Sequence, residues 1–149
     1  MTRKSRRLLV SAVPASFGAA ALSAPAFSAL SFPLVAWAIW QFFSPVCHQD
    51  SARSFWILGA PVAVCARCLG IYLGAAVGAW IPAPRRTLLF ALATAATANL
   101  FDIMSEAAAW HGNWMIVRFS LGFALGGTIA ALIAGSAGVS PATMKRANR

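Results

Sequence analysis

Hydrophobic positions in this chain fall in long runs, broken by prolines and by short polar segments. No charged residue occurs between Leu8 and Phe43, a stretch of about 54 Å as a straight helix against a hydrocarbon core of about 30 Å. Pro14, Pro25 and Pro33 offer breaks in it, because a proline ring removes a backbone donor and clashes with the preceding turn. The pattern predicts a spanning helix over about residues 8–28 and a shorter helix over about 33–44. That shorter piece, with Trp37, Trp40, Phe42 and Phe43, is expected to be interfacial or re-entrant, since aromatic rings gather at the membrane–water boundary.

Three further apolar runs follow, predicted as spans over about 66–82, 87–103 and 115–134. Pro82 and Pro84 stop the first of these, and Arg85 and Arg86 anchor the turn at the headgroups. The expected fold is therefore all-α: a single membrane domain of about four transmembrane helices, with a Cys/His-containing segment over 44–68.

Composition fits this reading. Of 149 residues, 60% are hydrophobic and 10% charged, and the mean hydropathy is +0.72; a soluble domain averages about 45–50% apolar and 25% charged. The net charge of +9 would suit a nucleic-acid binder only if the basic residues shared one surface patch. Instead Arg3, Lys4, Arg6 and Arg7 precede the first span, Arg85 and Arg86 sit in one turn, and Lys145, Arg146 and Arg149 end the chain. Arg53, Arg67 and Arg118 are offset by the only acids, Asp50, Asp102 and Glu106. Positive charge confined to three flanking segments is the positive-inside pattern. It predicts a multi-pass plasma-membrane protein with both termini cytoplasmic, the lipid bilayer as its surroundings and no nucleic-acid partner. The basic start followed by an apolar run resembles a secretory signal, but Pro25 after Ala24 spoils the best cleavage position, so an uncleaved signal anchor is expected.

Glycines recur every four residues at Gly70, Gly74 and Gly78, and again at Gly122 and Gly126. Such spacing bares one helix face and lets a neighbouring backbone come close. The neighbour can be in the same chain, in a second copy or in another membrane protein.

The concentrated chemistry is the placement of all three cysteines, Cys47, Cys65 and Cys68, beside His48. Cys65-Ala66-Arg67-Cys68 puts two sulfurs within reach of one ion or of each other. Cys47 and His48 complete a set of three thiolates and an imidazole, suited to tetrahedral zinc or another divalent transition metal. Adjacent residues do not readily point at one centre, so His111, Asp102 or Glu106 stands as an alternative to His48. A second reading is thiol redox chemistry, with Cys65 and Cys68 cycling and Cys47 resolving; Arg67 and a helix start at Cys65 would both lower a thiol pKa. A third is a non-catalytic accessory subunit, packed by its glycine faces. Asn99, Asp102 and Glu106 share one helix face, and Arg118 is the expected partner of Asp102. Arg53 and Tyr72 are expected to act as an interfacial anchor and a packed aromatic. Glu106 and His111 suit a solvated loop equally well. The chain has no serine triad, phosphate loop or dinucleotide fingerprint, so no nucleotide cofactor is predicted and no reaction is assigned.

The string Ser44-Pro-Val-Cys-His-Gln49, then Arg53-Ser-Phe55, then Cys65-Ala-Arg-Cys-Leu-Gly-Ile-Tyr-Leu-Gly74 resembles a bacterial and archaeal family of membrane proteins, domain of unknown function 2085. Asp102, Asn113, Arg118, Gly122 and Gly126 look like its later Asp, Asn, Arg and Gly series, and the likeness covers roughly residues 33–134. It implies integral membrane placement and importance for the Cys/His cluster, and supplies no substrate.

Overall fold

The computed structural model describes residues 2–110 and 112–135; His111 and the basic residues Lys145, Arg146 and Arg149 lie outside them. Five helices follow in order: α1 (Arg3–Ala29), α2 (Pro33–Phe43), α3 (Ala66–Gly78), α4 (Arg85–Ala107) and α5 (Met115–Gly135). Thr2 caps α1 by accepting the Ser5 N–H at 3.2 Å, and Pro33 opens α2 at its first turn, where its missing donor costs nothing. Between α2 and α3 lies a two-stranded antiparallel hairpin, β1 (Trp56–Ile57) and β2 (Ala60–Pro61).

Lys4–Ala29, Arg85–Ala107 and Met115–Gly135 are each long and apolar enough to cross a membrane. The run expected to span over 66–82 is the 13-residue α3, only about 20 Å long at 1.5 Å per residue. Its helix ends at Gly78, and turn bonds such as Ile81 N–H to the Gly78 carbonyl at 3.0 Å carry the chain to the prolines. The count of four spans is thus approximate, with three crossing-length helices and one short helix between them.

That short helix is the centre of the bundle. It runs antiparallel to α1, with Leu73 against Gly18 and the Ala63 N–H bonded to the Ala21 carbonyl. It runs parallel to α5 along a seam of glycines. A methyl group on Gly70, Gly74 or Gly78 would overlap backbone of Phe119, Phe123 or Gly127, and one on Gly122 or Gly126 would overlap backbone of Arg67 or Ile71. All five glycines singled out by spacing therefore meet partners within this chain. α4 packs chiefly on α5, antiparallel to it, with the Asn99 side-chain amide donating to the Leu121 carbonyl at 3.0 Å.

α2 re-enters the bundle, folding back along α1. Its last residues, Phe42 and Phe43, stack against Phe17 with ring centroids 5.6 and 6.0 Å apart, and Phe17 sits in the middle of α1. The chain leaves α1 at Ala29, turns at Ser31 (φ 63°) and descends beside α1 instead of continuing away from it. The segment that follows is thereby held inside the bundle end, where Ala21, Ala24, Phe43, Cys47, Val62, Ala63, Val64 and Leu69 form one buried cluster.

At the opposite end, Val10 packs with Ala79, Ala130 and Ala134, and Arg7 lines a cavity with Pro82, Pro84 and Gly135. The start of α1, the Arg85/Arg86 turn and the end of α5 thus share the end away from the cysteines.

Candidate metal centre

Three sulfurs converge at the top of α3. The Sγ atoms of Cys47, Cys65 and Cys68 all lie within 4.8 Å of one another, and none is in a disulfide. A tetrahedral ion with Zn–S bonds of about 2.3 Å needs sulfurs about 3.8 Å apart, so little movement separates this cluster from a zinc shell. Cys65 is the N-cap residue of α3, in extended conformation. Cys68 follows one turn later on the same helix, and Cys47 arrives from the re-entrant loop.

The loop is fixed by a side chain that spacing arguments did not single out. Gln49 adopts a left-handed backbone conformation (φ 52°), unfavourable for a side chain of its size. Its amide nitrogen donates to the Trp40 carbonyl at 2.6 Å and the Ala63 carbonyl at 2.8 Å. These bonds join the end of α2 to the strand leading into Cys65 and hold the tight turn that presents Cys47. The signals in the sequence are its adjacency to the Cys-His pair and its place in the Ser44–Gln49 string. Ser54, fully buried, adds a second tie by donating to the Asp50 carbonyl at 2.9 Å.

Cys47 is 6% exposed, and its sulfur accepts the Cys65 backbone N–H at 3.2 Å. Hydrogen bonds from the Cys65 and Cys68 side chains, with this N–H, hold its thiol well below the ordinary range. Its hydrogen bond to Cys47 pushes the Cys65 thiol up. One sulfur in the group therefore carries negative charge before the others, as at a site that recruits a soft cation.

Around the sulfurs runs an ionic chain of alternating sign that includes every acidic residue of the protein. Asp50 pairs with Arg53 at 3.1 Å, Arg53 with Glu106 at 3.1 Å, and Glu106 with Arg118 at 2.6 Å. Arg118 lies 3.6 Å from Asp102, which also pairs closely with Arg67. Asp102 and Arg118 are 5% and 3% exposed. The expected Asp102–Arg118 pair is present, but Arg67 is the closer partner of Asp102, and Arg118 is nearer to Glu106. Arg53 is an ion-pair bridge more than an interfacial anchor, and Glu106 is engaged, not free in a solvated loop. Asn113 accepts from Arg118 at 2.7 Å and donates to the Ala52 carbonyl, closing the ring between α5 and the re-entrant segment. Tyr72 is a packed aromatic, 5.7 Å from Phe17 and 6.0 Å from Phe43.

Cys47, Cys65 and Cys68 share a cavity of about 550 Å³ with His48, Asp50, Arg53, Arg67, Glu106 and Arg118. His48 is exposed on that cavity, and its ring lies outside the set of converging ligand atoms.

A family model described as predicted membrane protein, domain of unknown function 2085, matches residues 47–132, from the first cysteine to near the end of α5. An uncharacterised protein of Methanocaldococcus jannaschii is 52% identical over 40 residues, 27% of this chain and 26% of that protein. The chain thus spans about a quarter of the length of the curated relative it matches. No solved structure matches.

Proposed function

The chain belongs to the family of predicted membrane proteins described as domain of unknown function 2085, and we propose that it binds one divalent transition-metal ion, zinc for preference, through Cys47, Cys65 and Cys68. The observation that carries this reading is the convergence of three reduced sulfurs within 4.8 Å. Soft thiolates select zinc among the abundant divalent ions, and zinc accepts a tetrahedral shell of sulfur and nitrogen. His48, exposed on the same cavity, supplies the fourth ligand by a rotation of its side chain, or a water does. The arginine-paired carboxylates Asp102 and Glu106 act from outside the shell by fixing the helices that carry the sulfurs.

The protein sits in the plasma membrane with the start of α1, the Arg85/Arg86 turn and the C-terminus on the cytoplasmic side, following the positive-inside rule. The metal centre then opens to the outside. Metal content of the purified full-length protein tests the binding claim: one zinc per chain is expected, and each Cys→Ser variant should lose it. A folded, stable, metal-free protein that takes up no zinc would end this reading.

A second reading, thiol exchange, draws on three free thiols within 4.8 Å of one another. Under it Cys65 and Cys68 cycle between dithiol and disulfide and Cys47 resolves. Alkylation of intact cells before and after an oxidant would expose such a change as a mass shift, and thiols that never change state would remove it. The accessory-subunit reading loses the feature it was built on, since the glycine faces are filled by α3 and α5 of the same chain.

A further inference from the structure

Ligand number and charge together narrow what this cluster holds best. Among the described residues, the ligand atoms that converge are three sulfurs and nothing else. The nearby carboxylates of Asp50, Asp102 and Glu106 are all engaged by arginines, so none is a ready fourth ligand. The three acids and three arginines of the ionic chain cancel. Any charge left by the cluster and its ion is therefore not offset by these six side chains. Zinc on three thiolates leaves one negative charge and a fourth position that only a rotated His48 or a water can fill.

A trivalent, lone-pair ion has neither problem. From this we infer that the cluster is also a binding site for trivalent arsenic, taken up as neutral arsenous acid. In the exchange, three S–H and three As–O bonds break, three As–S bonds form, and the three protons leave with the three hydroxyl groups as three waters. Arsenic stays trivalent throughout and the three-sulfur product is neutral; where Cys47 enters as its thiolate, the third proton comes from solvent instead of from an S–H bond. The pyramidal geometry of the ion uses three donors on one side, as Cys47, Cys65 and Cys68 provide, and its lone pair faces the cavity where no fourth donor converges. This shares its sulfurs with the zinc reading but does not require zinc to bind.

The test titrates reduced, metal-free full-length protein in detergent with sodium arsenite and counts reactive thiols. One arsenite per chain should protect all three cysteines, whereas phenylarsine oxide, which has only two exchangeable positions, should leave one reactive. Each Cys→Ser variant should weaken arsenite about 100-fold or more, the order of effect of losing one tethered arm of a multivalent contact. An unchanged helical circular-dichroism spectrum and monodisperse elution in detergent would show that a variant still folds. A wild-type protein that keeps a reactive thiol at saturating arsenite, or foldable variants that bind it undiminished, would overturn the inference. Zinc binding measured on the same preparation keeps the two readings apart: zinc bound but not displaced by arsenite refutes the arsenic site alone. Arsenite protection without zinc uptake supports the arsenic site and refutes the zinc reading.

Discussion

The backbone N–H of Cys65 donates to the sulfur of Cys47 at 3.2 Å, so the first residue of the CxxC pair and the cysteine of the re-entrant loop are joined before any ion arrives. A pre-joined set loses less freedom on binding metal than three independent ligands would. Replacing Cys47 by Ser should cost zinc affinity more than the roughly 10–100-fold lost with an outer-shell partner. Competition against a chromophoric chelator measures this, and a Cys47→Ser protein with unchanged affinity would show that Cys65 and Cys68 bind alone.

Asp102 neutralises Arg67 in the first turn of α3 and lies 3.6 Å from Arg118 of α5. Asp102→Asn leaves the Arg67 guanidinium without its counter-charge while Arg118 keeps Glu106 at 2.6 Å, a loss of about 3 kcal/mol when a buried pair is broken. Adding Arg67→Met to that variant should restore part of the stability. Denaturant unfolding in detergent reads both changes. A double variant no more stable than Asp102→Asn would mean the Arg67 pairing is not what the carboxylate supplies.

Gly74→Ala pushes a methyl group into the backbone of Phe123. Overpacking of this kind costs about 1–3 kcal/mol. Gly135→Ala, which meets nothing within 4 Å, should change stability by less than about 0.5 kcal/mol. Equal thermal stability for the two variants would contradict the α3–α5 seam.

If α2 re-enters, its two ends differ in depth but are reached from the same side. Single cysteines placed at Ser31 and Ser44 in a chain free of other cysteines should both be labelled by a membrane-impermeant maleimide from outside. One placed at Arg86 should react only after the membrane is opened. Labelling of Ser31→Cys and Ser44→Cys from opposite sides would make α2 a crossing.

Much of this fold was legible because the bilayer imposes it. Charge-free runs of spanning length, prolines at Pro33, Pro82 and Pro84, and glycines four apart each have a direct structural counterpart. A short aromatic helix, interfacial or re-entrant, could be expected from its length and ring content, and the short helix is there, with Phe42 and Phe43 packed on Phe17. The run over 66–82 misled on length, because apolarity alone does not distinguish a complete crossing from a short helix sheathed by neighbours. Cysteine clustering pointed to the three sulfurs that converge. Which arginine meets which acid depends on how α4 and α5 rotate about their axes, and no local pattern encodes that. The role of Gln49 is likewise invisible until the backbone carbonyls of Trp40 and Ala63, far apart in sequence, are brought together.

X-ray absorption at the zinc edge of the purified protein reads whether three cysteine sulfurs share one zinc ion. Three sulfur neighbours at about 2.3 Å and one nitrogen or oxygen at about 2.0–2.1 Å are expected. A shell of nitrogen and oxygen alone would contradict the shared sulfur site.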